Sequence, residues 1–141
     1  MNKNQSVKDF LQAGDEIELM VDDYGYHGEG IGHWQGQAIF IPQALKGEKV
    51  KVQILKVKKN FAQGLLKEVL SYHREDKNPR TAPSCPYYDL CGGCQLQHMV
   101  YEEQLFLKSN LLYNNLRRLA GLDRSELADI LPSPEVLHYR N

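Results

Sequence analysis

The stretch Glu48-Lys49-Val50-Lys51-Val52-Gln53-Ile54-Leu55-Lys56-Val57 alternates polar and aliphatic residues along most of its length. A period of two marks a strand with one face in a core and the other in water. Val50, Val52 and Ile54, with Val57 at the end of the row, form one side; the lysines form the other. Lys58-Lys59-Asn60 turns the chain. Downstream, Phe61 to Leu70 reads as another strand, interrupted by Gly64. Upstream, Asp15 to Val21 alternates in the same way, and Asp22-Asp23-Tyr24-Gly25 is a turn signal. Gly28-Glu29-Gly30-Ile31-Gly32-His33-Trp34 has too much glycine for a helix and suits a kinked strand. Gln35-Gly36 turns, Gln37 to Ile41 is a short apolar strand, Pro42 ends it, and Ala44 to Gly47 is a loop.

Five short strands without an intervening helix predict a small closed barrel of the OB-like kind over residues 13–72, behind a leader at 1–12. Within the leader, Ser6 to Leu11 is compatible with a helical turn. Gly28, Gly30, Gly32 and Gly64 are expected at barrel corners. A phosphate-cradling glycine loop is not supported, because it would need a strand leading into a helix.

Charge is distributed unevenly along the barrel. The formal net charge is −1. Residues 1–42 nevertheless carry two lysines against seven acids, while residues 43–80 carry ten Lys or Arg against four acids. A basic strand-rich segment of this kind suits a polyanion. Lys49, Lys51, Lys56, Lys58 and Lys59 are the candidate phosphate contacts. Tyr24, Tyr26, Trp34, Phe40 and Phe61 are the candidate stacking aromatics. Tyr24 and Tyr26 are the most available, since the pattern places them in a loop, whereas the other three suit a core.

All three cysteines of the chain, Cys85, Cys91 and Cys94, lie within ten positions. Such clustering, with no charged-then-apolar leader after Met1, argues for a reducing, cytoplasmic setting and a metal site rather than a disulfide framework. No apolar run approaches the ~18 residues that span a bilayer. Thiolates take zinc or iron–sulfur clusters. Two versions of the site stand on spacing alone. One is a [4Fe–4S] cluster with a fourth thiolate from elsewhere; the other is a Cys3His zinc site completed by His98.

Residues 73–98 read as a polar, proline-bearing linker and the cysteine loop. Residues 99–141 form a helical segment, so the fold class is mainly β, then α. Tyr101, Leu105, Leu112, Leu116 and Leu119 fall on one helical face, Gly121 stands at a C′ position, and Asp123 to Glu126 resembles a capping box. Leu131-Pro132-Ser133-Pro134 breaks the pattern.

Pro83-Ser84-Cys85, Cys91-Gly92-Gly93-Cys94-Gln95-Leu96-Gln97-His98, Tyr101, Gln104-Leu105 and Lys108 resemble the iron–sulfur signature of the bacterial RNA uracil-C5 methyltransferases, which act on 23S ribosomal RNA. The run Gly28 to Gly32, Phe40-Ile41-Pro42 with Leu45 to Glu48, and the strand that follows resemble the TRAM domain preceding that signature. Pro132 to Pro134 and His138 to Asn141 resemble the entry to the family's next segment. The resemblance covers residues 12–141. It implies an RNA-binding barrel and three cluster ligands at Cys85, Cys91 and Cys94, with His98 in the motif but not a ligand. It places the fourth cysteine, the S-adenosylmethionine domain, the nucleophile and the base beyond Asn141, so the chain alone is expected to be inactive. The rival reading is a self-contained zinc adaptor that binds RNA or protein without catalysis.

Overall fold

A computed structural model describes residues 10–139; the rest of the leader reading and the last two residues fall outside them. The chain divides into two compact units, residues 1–78 and 79–141.

The first unit is a closed five-stranded barrel with strands in the order β1-β2-β3-β5-β4. The strands are β1 (Glu16–Tyr24), β2 (Gly30–Trp34), β3 (Gln37–Ile41), β4 (Glu48–Val57) and β5 (Phe61–Tyr72). All neighbouring pairs are antiparallel except β3 with β5, which is parallel. Alternation builds the core. Ile17, Leu19 and Val21 of β1, Ile39 and Ile41 of β3, and Val50, Val52 and Ile54 of β4 are all buried. Each such side chain contributes about 1.5–3 kcal/mol on leaving water.

Irregularities curl the sheet into closure. The β1–β2 register slips between Val21 and Asp23, and the β4–β5 register slips at three places, the last between Ile54 and Lys56. A bulge shifts the inward phase by one residue. Tyr24 therefore points inward although it breaks the 17, 19, 21 series, and it is buried. Beyond the third slip Val57 is exposed, outside the row that simple alternation would extend.

The glycines inside the strands allow close approach rather than make corners. A Cβ on Gly64 would overlap Val52 Cγ1, and one on Gly30 would sit 2.7 Å from the Ala44 carbonyl oxygen. Gly36 is a turn glycine: with Gln35 (φ 47°) and Gly36 (φ 83°) both left-handed, it forms the two-residue connection that suits a twisted hairpin.

In the second unit Arg80 pairs with Met99, and Thr81 N–H donates to the His98 carbonyl at 2.9 Å. This clasp closes the cysteine loop on itself. Within the loop lies α1 (Tyr88–Cys91), followed by α2 (Tyr101–Ala120), capped by Gly121, and a 3-10 turn (Arg124–Glu126) with the expected capping box. The apolar face of α2 differs from the expected one. Glu103 and Leu107 are the buried positions, while Leu112 and Leu119 are exposed. The first turns of α2 lie against the clasp, where Gln104 Nε2 donates to the Leu96 and Met99 carbonyls at 3.1 Å. The later leucines lack comparable cover. Residues 127–139 contain no regular element, so the helical segment is shorter than the 99–141 reading.

Candidate functional site

The register of β1 against β4 sorts the five lysines. Lys51 lies opposite Glu18, and Lys49 opposite Met20. Long side chains also reach diagonal neighbours across a ladder. Lys49 Nζ accordingly sits 3.2 Å from Glu18 Oε2, and Lys51 Nζ 3.2 Å from Glu16 Oε2. Both positive charges are matched on the barrel itself. The β1–β4 register ends at Gln53, so β1 offers no carboxylate to the rest of β4. Lys56, Lys58 and Lys59 are exposed, and no carboxylate lies against them among the described residues.

The aromatics separate as sharply. Tyr24, expected in a loop, belongs to β1 and is only 8% exposed, so it offers no stacking face. Tyr26 is 71% exposed in the following turn, edge-on to the His27 ring with centroids 5.3 Å apart. Phe40 and Phe61 meet edge to face at 5.5 Å and are half-buried.

One region escaped the sequence reading. Because β3 and β5 run parallel, with Ala38 opposite Phe61, the Gln35-Gly36 turn and the Lys58-Lys59-Asn60 turn come to one end of the barrel. Gln37 Nε2 ties them by donating to the Lys58 carbonyl at 3.0 Å. Between them lies an open cleft of about 610 Å³, lined among others by Leu11, Trp34, Gln35, Lys58, Lys59 and Asn60. The signal for it was a pairing between strands distant in sequence, which local pattern does not reveal.

In the second unit the thiols of Cys85, Cys91 and Cys94 are all free; Cys85 is half-buried and the other two are exposed. The loop carrying them is braced at several points. The Cys85 N–H donates to Gln97 Oε1 at 3.1 Å, and the Tyr88 hydroxyl donates to the Gln95 carbonyl at 2.7 Å. The same hydroxyl lies 2.7 Å from His98 Nδ1. Its one proton is committed to Gln95, so the histidine nitrogen is the donor in that pair. Burial, aided by the charges of Asp89 and Cys94, pushes the Tyr88 phenol above its ordinary value. Gly92 ends α1 in the left-handed region at φ 68°, and a Cβ on Gly93 would meet Cys91 Sγ at 3.4 Å.

Three thiols on one braced loop are the right donor type for iron–sulfur or zinc. Yet no group of three or more His, Cys, Asp or Glu side chains comes together as a metal site among the described residues. His98, the fourth zinc ligand of one reading, is 4% exposed and held by Tyr88 rather than gathered with the three thiols.

Residues 11–67 match the TRAM domain model, which takes in β1 to β4 and the first part of β5. The chain is similar to proteins named as uncharacterized RNA methyltransferases. One from Clostridium acetobutylicum is 39% identical over 93% of this chain and 28% of that protein. One from Staphylococcus aureus is 43% identical over 96% and 28%. One from Synechocystis is 35% identical over 99% and 29%. The chain thus spans under a third of the length of these relatives. A solution structure of a conserved Methanococcus maripaludis protein aligns at 34% identity and a TM-score of 0.39, covering 43% of this chain and 89% of that one.

Proposed function

We propose, starting from a chain that carries a TRAM domain and is related along nearly its whole length to proteins named RNA methyltransferases, that it is the RNA-gripping and cluster-bearing portion of an S-adenosylmethionine-dependent RNA uracil-C5 methyltransferase acting on ribosomal RNA in the cytoplasm. The observation carrying the RNA part is the exposed charge at Lys56, Lys58 and Lys59 on a TRAM barrel, with no carboxylate against it among the described residues. Among the described residues a phosphate meets no carboxylate at these ammonium groups. At Lys49 and Lys51 it must displace Glu18 and Glu16. Such contacts give sequence-independent, salt-sensitive affinity.

Methylation at a uracil ring carbon requires the base to leave its stack, at a cost of a few kcal/mol. A barrel that holds the flanking backbone offsets part of that cost. Cys85, Cys91 and Cys94 would hold three corners of a [4Fe–4S] cluster, which would cross-link the loop and supply an iron centre of tunable potential. The methyl transfer itself is assigned to no residue of this chain.

Two measurements test the proposal. RNA affinity is read by anisotropy with a labelled single-stranded ribosomal RNA fragment. Metal content is read after anaerobic purification. Salt-dependent binding together with iron and sulfide supports the proposal. Stoichiometric zinc lost on His98→Ala supports the adaptor reading instead. Methyl transfer to RNA by the 141-residue chain alone would overturn the assignment of chemistry elsewhere.

A further inference from the structure

The structure assigns the cleft between the Gln35-Gly36 and Lys58-Lys59-Asn60 turns as a subsite for one unpaired nucleotide of the RNA, an inference that rests on the RNA-binding reading above. Trp34 and Leu11 line it and are half-buried, packed against the barrel core. The indole is therefore supported from below while remaining part of an open wall. Lys58 and Lys59 stand on the opposite turn, exposed and without a carboxylate against them among the described residues. An apolar aromatic wall facing a cationic rim is complementary to a base joined to its phosphate. It suits neither an apolar peptide side chain nor a free anion alone.

Gln35 and Asn60 also line the cleft, and a side-chain amide can both donate to and accept from a base edge. The two turns are fixed relative to each other by the Gln37–Lys58 hydrogen bond, and Lys58 N–H donates to the Phe61 carbonyl at 2.8 Å. Little ordering of the backbone is thus left for the moment of binding. At about 610 Å³ the cleft falls within the range of small-ligand sites and has room for a nucleotide. A duplex has its bases stacked and paired, so the cleft selects single strands.

Trp34 is the one tryptophan of the chain, so indole emission reports on this cleft alone. The 141-residue chain is titrated with a short oligouridylate, following Trp34 emission and, separately, anisotropy of labelled RNA. A duplex of equal length and inorganic phosphate serve as controls. The expected result is quenching by the single strand and not by the controls, with Trp34→Leu weakening binding by about 5- to 160-fold. RNA binding with unchanged Trp34 emission and an unaffected Trp34→Leu variant would overturn the subsite while leaving the RNA reading standing. Absence of any RNA binding would overturn both.

Discussion

Removing the charge of Lys56, Lys58 and Lys59 together, as the triple glutamine variant, separates the end of β4 and the turn after it from the first half of the strand. Each lysine that neutralises a phosphate of single-stranded RNA contributes about 0.7 to the slope of log K against log salt. All three are exposed, with no carboxylate against them among the described residues, so their loss lowers the slope by about 2. Between 50 and 200 mM salt that difference amounts to roughly a 20-fold change in relative affinity, well within the reach of anisotropy titrations.

The companion variant changes the first half of β4 and the strand facing it. Lys49→Gln and Lys51→Gln are combined with Glu18→Gln and Glu16→Gln. This removes two positive and two negative charges that already face each other at 3.2 Å. The slope is expected to hold within about half a unit of wild type, since no net charge is lost and surface pairs of this kind contribute little to stability. Circular dichroism confirms that both variants fold. An unchanged slope in the triple variant, or a fall of about 2 in the neutral quadruple variant, would refute the division of the strand.

Gly64→Ala forces a methyl group into Val52 and is expected to destabilise the barrel by about 1–3 kcal/mol, read by urea unfolding. Tyr88→Phe removes the donor to the Gln95 carbonyl and the acceptor facing His98 Nδ1; a loss of about 1–3 kcal/mol in the second unit is expected, seen as faster amide exchange across residues 95–99. Desolvation pushes the Asp76 carboxyl up, but the Tyr72 hydroxyl and the Arg74 guanidinium together outweigh it and hold the group below its ordinary 3.8. Its small contribution to stability is therefore present above that value and lost as pH falls through the lower folded value; carbon-detected titration should show this, with Arg74→Met moving the midpoint upward.

The parts of this fold legible in the sequence were those that depend on a residue and its near neighbours. Ile17, Leu19 and Val21, then Val50, Val52 and Ile54, announce their strands because a two-residue period needs no partner to be seen. Tyr24 reads as a loop residue because Asp22-Asp23-Tyr24-Gly25 has turn composition; β1 instead runs on to Tyr24 over a bulge after Val21, and bulges are set by the neighbouring strand. The α2 stripe was misread for a related reason. Helical spacing shows which leucines share a face but not how far the surface beneath extends, so Leu112 and Leu119 remain exposed. That the three cysteines share one loop is legible, since ten residues contain them; how their thiols and His98 are placed depends on contacts such as the Tyr88 hydrogen bonds, which spacing does not encode.

Counting charge along the chain overstates what is available to a polyanion. Two of the ten basic residues at 43–80, Lys49 and Lys51, lie on the half of β4 that runs against the acidic β1, so the negative N-terminal segment and the positive strand cancel where they pair. The cancellation stops where that pairing stops. Lys58 and Lys59 then fall on the turn before β5, and the parallel β3–β5 pairing brings that turn beside Trp34. Strand register thus moves the effective positive charge from the whole of β4 to one end of the barrel. That end also carries an aromatic wall, which makes it the more specific place to expect RNA than the lysine-rich face as a whole.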